Sequence, residues 1–332
     1  MRLNRTDRQE QYRCRPVANS SGCRRCQVGE VPPPIDAIRL AHDYHTLQLT
    51  SLTCQLYRCG MRGSDPQPQD LVVTLLGTYV RSLTRPVWSG GLVQLLGELG
   101  FSTAAARVAL ARLVTRGLLT RERDGRLVRY RITSRCMALL EEGDARIFAL
   151  GQRRVTTACW TVLWHSIPDS RKLQRARLAK RLRFLGFGSL QDATWIAPRD
   201  REPELIALLD DIGVRNFAGV IVGRSSESLD FAGIASRAWD LRGLNQRYTG
   251  FVRTFRRYGA DDATHRLRDQ QAFKLRTLLV NAFREFPALD PELPDDIVNP
   301  PPHRDEAVSL FHRLYKALAV PSQRHFSSVA LR

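Results

Sequence analysis

Nine arginines crowd residues 101 to 135, at positions 107, 112, 116, 121, 123, 126, 129, 131 and 135, against only two acids, Glu122 and Asp124. A guanidinium is a planar fork of donors that engages phosphate oxygens and the guanine edge in pairs, so this block has the chemistry of a nucleic-acid contact. The whole chain shares the bias. It holds 51 Lys plus Arg against 33 Asp plus Glu, for a formal charge of +18, and residues 66–135 supply +7 of that from eleven basic and four acidic groups. Only Lys172, Lys180, Lys274 and Lys316 are lysine. Codon bias in a GC-rich genome explains the preference for arginine over lysine as well as function does, but it leaves the net charge unexplained. That charge points to a polyanionic partner. Bond-making chemistry is not indicated: there is no HExxH, GxSxG, P-loop or GxGxxG pattern, and the histidines lack acid or cysteine partners at a persuasive spacing. The expectation is a binding protein without a catalytic centre, metal or cofactor.

Leu71 to Val80 and Gly91 to Leu99 read as two apolar helices, the second ended by Gly100. Ser102 is placed to cap a third helix running from Thr103 to Arg116, with Gly117 as its stop. On that helix Ala106, Leu110, Leu113 and Val114 share a core-facing side. Ala104, Val108, Ala111, Arg112 and Thr115 face outward, with Thr103 and Arg107 at the border. Small outward residues let such a helix enter a major groove, where Arg107, Arg112 and Arg116 would meet bases or phosphates. Two strand-like runs, 118–123 and 126–133, flank Asp124-Gly125 and predict a hairpin, the wing of a winged helix-turn-helix. The DNA-binding set is Ser102, Thr103, Arg107, Arg112, Arg116, Arg121, Arg123, Arg126 and Arg129. The competing readings are a solvated basic surface and a winged module that docks protein.

The remaining segments divide the chain into four. Residues 1–69 lack periodicity and contain Pro32-Pro33-Pro34 and a breaker run from Gly63 to Pro68, which predicts a disordered extension, or a mis-called start with translation beginning at Met61. A zinc module built on Cys23-x2-Cys26 with His42-x2-His45 or Cys54-x4-Cys59 is the alternative there, disfavoured by the proline-rich spacer. The winged block covers 70–150. Residues 151–232 alternate β-α-β-β-α-β, a ferredoxin-like sandwich whose first helix carries seven basic groups between 171 and 183 and no acid. Residues 233–332 read as amphipathic helices with apolar stripes at Leu241, Leu244, Tyr248, Phe251 and Phe255, at Leu278 to Phe286, and at Leu310 to Leu318. The fold class is therefore α+β: an N-terminal winged helix-turn-helix, a middle ferredoxin-like α/β sandwich and a C-terminal helical domain. The longest apolar stretch, near Leu71 to Val80, is far below the roughly 20 residues of a membrane span, and a cytoplasmic protein is expected.

The chain resembles the PaaX-like bacterial regulators, the phenylacetic-acid degradation repressor family. The resemblance rests on Gly77-Thr-Tyr-Val80, Arg107-x-Ala109-x-x-Arg112-Leu113-Val114-x-x-Gly117-x-Leu119, Gly125-Arg126 with Tyr130 and Thr133, Leu185-Gly-Phe-Gly-Ser-Leu190, and Trp195-Ile196-x-Pro198. It continues through Ala238-Trp239-Asp240-Leu241, Phe273-x-Leu275-Arg276, Asp290-Pro-Glu-Leu-Pro294 and Leu310-Phe-x-x-Leu-Tyr315. Thr78 and Leu118 depart from the pattern, where an acid and an aromatic residue are expected. The resemblance implies a homodimeric repressor that binds double-stranded operator DNA and is released by a coenzyme A thioester such as phenylacetyl-CoA. It also implies a middle domain similar to the ferredoxin-like CRISPR adaptation nuclease. For the effector, Trp239, Arg247 and Tyr248 are the candidate contacts, each with core packing as its other reading. A metal-dependent nuclease would need Asp169 as a ligand, a position that capping of the following helix also accounts for.

Overall fold

The structure is a computed structural model and describes residues 67–152, 159–224, 230–259 and 264–331. The Cys23–Cys59 zinc alternative and the Met61 start lie outside these residues. Helix α1 (Pro68–Leu75) passes into a π-type turn, Leu76–Val80; strand β1 (Val87–Trp88), α2 (Ser89–Glu98), α3 (Thr103–Thr115), β2 (Leu119–Asp124), β3 (Leu127–Ile132) and α4 (Ser134–Ala149) follow. The order of the three strands is β1-β3-β2, all antiparallel. Sequence periodicity found the hairpin but not β1, which is only two residues long. The turn also sits one residue later than expected. Asp124 pairs with Leu127, so the two loop residues are Gly125 and Arg126, and Gly125 takes φ +60°, the positive value that a two-residue hairpin requires at its first position.

The middle segment runs β4 (Trp160–His165), α5 (Lys172–Phe184), β5 (Gly188–Gln191), β6 (Thr194–Ala197), α6 (Glu202–Ile212) and β7 (Ala218–Gly223). The sheet order β5-β6-β4-β7, with every neighbour antiparallel, is the ferredoxin-like arrangement. Side chains alternate across β4. Leu163 points to a core shared with Leu178 and Leu182 of α5 and Leu205 and Leu209 of α6, while Trp160 packs on the other face with Ala235 and Leu293.

The remaining helices are α7 (Phe231–Ala238), α8 (Leu241–Phe255), α9 (Asp269–Phe283), the short α10 (Phe286–Leu289), α11 (Arg304–Ala317) and α12 (Ala319–Ala330). The apolar stripes meet as expected: Phe251, Phe255, Leu279, Phe283, Phe286, Phe311 and Leu314 form one core, in which the Phe283 and Phe311 rings stack at 3.9 Å. Sequence order does not show that this segment serves two cores. Phe273 of α9 and Phe326, Val329 and Ala330 of α12 lie in the core of the winged helix, beside Leu71, Leu75, Leu92 and Leu110. Tyr79 stacks on Phe326 at 5.0 Å and its hydroxyl sits 3.1 Å from Thr277 Oγ1. Burial pushes that phenol up to about 12. Gly91 marks a close approach of α12 to α2, because a Cβ there would come within 2.5 Å of the Val329 carbonyl oxygen. In return, Ile147 and Phe148 of α4 pack against the aromatic C-terminal core.

Candidate nucleic-acid interface

Helix α3 begins where its sequence says. The Ser102 hydroxyl accepts from the Ala105 N–H at 3.2 Å, and Thr103 follows, exposed, at the first helical position. Ala106, Ala109, Leu110 and Leu113 are buried, which fixes the rotation of the helix and turns Ala104, Arg107, Val108, Ala111, Arg112 and Thr115 outward. Ala109 belongs to the buried side, an addition to the expected set. Val108 is 49% exposed, leaving an apolar contact among cations on the outer surface. Arg107, Arg112 and Arg116 are exposed and have no carboxylate partner among the described residues.

The wing sorts its arginines by face. Strand residues alternate, so Arg121 and Arg123 of β2 share the side that carries Tyr130 and Val128, their pairing partners on β3. Both are exposed, as is Arg126 in the turn. Glu122 and Asp124 occupy the opposite side and draw the β3 arginines to them. Arg129 Nε lies 3.1 Å from Asp124 Oδ2, and Arg131 Nε lies 2.7 Å from Glu122 Oε1. Arg129 is the expected site residue that the structure sets apart from the others, with its side chain only 20% exposed. The arrangement therefore joins Arg107, Arg112 and Arg116 on one exposed helix face and Arg121, Arg123 and Arg126 on an adjoining wing. Fixed, unneutralised cations of this kind bind phosphates, and the helix face can present side chains to base edges.

The effector candidates separate. Tyr248 is fully buried and donates to Asp290 Oδ2 at 2.7 Å, with its ring stacked on Phe286 at 4.1 Å, so the core reading replaces a ligand contact. Desolvation, then the Asp290 charge, hold its phenol far above the usual range. Asp290 in turn faces Arg304 Nε at 3.2 Å, closing a buried polar knot. Trp239 and Arg247 do come together, along a groove of about 400 Å³ that Arg183, Phe187 and Trp195 also line. There the Trp239 indole donates to the Gly186 carbonyl, and Arg247 pairs with Glu285 at 3.2 Å.

Asp169 does not cap a helix. It opens a short 3₁₀ turn, Asp169–Arg171, and its carboxylate pairs with Arg175 at 2.8 Å. Among the described residues no three His, Cys, Asp or Glu side chains converge as metal ligands would. Two histidines do have acid partners: His303 lies 3.1 Å from Glu306, three positions on and so within reach of the sequence reading that missed it, and His325, on α12, lies 2.8 Å from Glu98, on α2. The latter pair is 227 positions apart, so only the folded chain reveals it. No helix among the described residues is long and apolar enough to cross a membrane.

A winged helix with a basic outer surface, a ferredoxin-like sandwich and a helical region that reaches back into the winged core define a three-part α+β chain. Residues 67–136 match the PaaX-like protein family, 155–234 the PaaX protein central Cas2-like domain, and 239–328 the PaaX-like protein C-terminal domain. The chain belongs to the PaaX-like family. It is 27% identical over 274 residues to the transcriptional repressor PaaX of Escherichia coli (strain K12), a match that covers 78% of this chain and 84% of that one. A solved structure, uncharacterized protein Rv0674 from Mycobacterium tuberculosis, aligns with 79% of this chain and 99% of its own, at 20% identity and a TM-score of 0.47.

Proposed function

We propose that the protein is a ligand-responsive transcriptional repressor, without catalytic activity of its own, that acts in the cytoplasm on an aromatic-acid catabolic operon. The observation that carries this reading is the exposed, unpaired set Arg107, Arg112 and Arg116 on an outward helix face, next to Arg121, Arg123 and Arg126 on the wing. In this account α3 enters a major groove, the wing grips neighbouring backbone, and a homodimer sets two α3 helices about one DNA turn, 34–36 Å, apart. Kinship with a transcriptional repressor supports the sign of regulation. The released state follows from an acyl-CoA effector such as phenylacetyl-CoA that binds the non-operator conformation more tightly, since only a difference in affinity moves such an equilibrium. The Trp239–Arg247 groove offers such a ligand both an apolar wall and cations.

Selection from random duplexes with the full chain, followed by an anisotropy titration of the recovered site, tests the reading. Saturable binding lost in Arg112→Ala is expected. Recovery of no preferred sequence, with wild-type affinity in the variant, would make the winged helix a docking module. A calorimetric titration with phenylacetyl-CoA tests the effector separately, and an absence of heat would remove that ligand while leaving the repressor in place.

A further inference from the structure

Arg146, on α4, is a half-buried cation that pairs with no carboxylate among the described residues. Its Nη2 donates to the Pro287 carbonyl at 2.7 Å, its plane lies over the Phe184 ring at 4.1 Å, and its Nη1 is buried with no partner. The carboxylates nearby are engaged by other arginines: Glu142 by Arg181, Glu204 by Arg201, Glu292 by Arg199 and Arg304, and Asp290 by Arg304. Desolvation, then the charges of Arg201, Arg199 and Arg181, outweigh the opposing charge of Glu142 and bring the Arg146 guanidinium down to about 10. A partly desolvated charge with a buried, unpartnered donor is favoured by the arrival of a counter-charge. Arg276 shows another solution in the same molecule: buried without a carboxylate among the described residues, it donates to Ser322 Oγ at 3.4 Å and is held over Tyr315 at 4.2 Å and Tyr79 at 5.5 Å.

Arg146 lines two cavities. One, of about 320 Å³, is polar and includes Arg199 and Arg201, the latter with its Nε buried and unpartnered. The other, of about 390 Å³, is mostly apolar and is walled by Val73, Leu140, Ile147, Phe148 and Phe184. Glu142, Arg146 and Pro287 border both. We infer that this junction is a binding site for an organic anion, whose carboxylate, sulfonate or phosphate group meets Arg146 and Arg201 while its apolar body lies against Phe148 and Phe184. The site is distinct from the Trp239–Arg247 groove, which it adjoins at Ala288. Its walls include α1, α4 and α5 together with α10 and α11, and α1 shares a core with the outward-facing helix α3, so an occupant would touch the element on which that helix rests.

The test uses the full chain without DNA and two fluorescent probes of similar shape, anionic 8-anilinonaphthalene-1-sulfonate and neutral N-phenyl-1-naphthylamine. Loss of a buried ionic contact should weaken the anionic probe by about tenfold in Arg146→Met. The neutral probe should bind this variant as it binds wild type, and Arg146→Lys should recover part of the lost affinity. Arg201→Gln, on a different element, should weaken only the anionic probe, and it keeps the test decisive if Arg146→Met does not fold. Unchanged affinity for the sulfonate in both variants, or equal weakening of both probes, would overturn the assignment. Because no DNA is present, either failure leaves the repressor reading untouched.

Discussion

Six arginines of α3 and the wing and five of the helical C-terminal region answer their charge in opposite ways. On α3 and the wing, Arg107, Arg112, Arg116, Arg121, Arg123 and Arg126 stand exposed, with no acid partner among the described residues. In the C-terminal region Arg247 meets Glu285, Arg256 meets Glu306, Arg284 meets Asp70, Arg304 meets Asp290 and Glu292, and Arg324 meets Asp269. A net charge counted over the chain cannot distinguish these groups. What matters for a polyanion is which cations remain uncompensated at the surface, because a neutralised pair presents little field beyond its own contact. The helix α5 lies between the extremes: Arg175 and Arg181 are paired, Arg171 donates to the Gly213 carbonyl, and Lys172, Arg177 and Lys180 are exposed.

The largest expected effect comes from the most enclosed pair. Arg304→Met leaves Asp290 buried with only Tyr248 and a backbone N–H, and breaking such a pair from one side costs about 3–5 kcal/mol. Urea unfolding should show that loss, and a variant as stable as the wild type would mean that the knot is not the anchor described here. At the other pole, Arg107→Gln should cost about 1–3 kcal/mol of DNA affinity. Its unfolding curve should stay on the wild type's, since the side chain touches no acid. A variant that lost stability and kept affinity would reverse the comparison.

A smaller effect is expected at the middle domain. Burial, then the charge of Arg175, lowers the imidazole of His165 below its ordinary value. The unfolded chain then takes up a proton that the folded one refuses, so this contribution to stability is complete above about pH 6.5 and declines as pH falls toward the depressed folded value. His165→Gln should flatten that part of the pH profile. An identical slope in the variant would place the proton uptake elsewhere.

Much of the site was legible because it is local. A cap at Ser102, a 3.6-residue apolar stripe and a glycine turn are all encoded within a few positions of where they act, and the exposed face of α3 follows from them. The ferredoxin-like order was legible for the same reason, from alternation and helix spacing. What escaped depends on contacts across the chain. Arg129 looked equivalent to Arg123 until the register set it opposite Glu122, on the acidic face, with its side chain reaching diagonally to Asp124. Tyr248 and Phe251 belong to one stripe, and nothing local says that a phenol hydroxyl will find Asp290 in the core. The sharing of Phe273 and Phe326 with the winged core, the Glu98–His325 pair and the Arg146 junction all join segments more than a hundred positions apart or bring three helices together.

The central claim is that the unpaired arginines, not the chain's total charge, contact DNA. It is tested most directly by the slope of log affinity against log salt for the selected duplex. Each phosphate contact that is lost should reduce the steepness by roughly one. Replacing Arg112 and Arg123 with glutamine should flatten the slope accordingly, whereas replacing Arg256 and Arg324, each engaged with its acid, should leave it at the wild-type value. Equal slopes for the two double variants, or a flatter one for Arg256 and Arg324, would contradict the account.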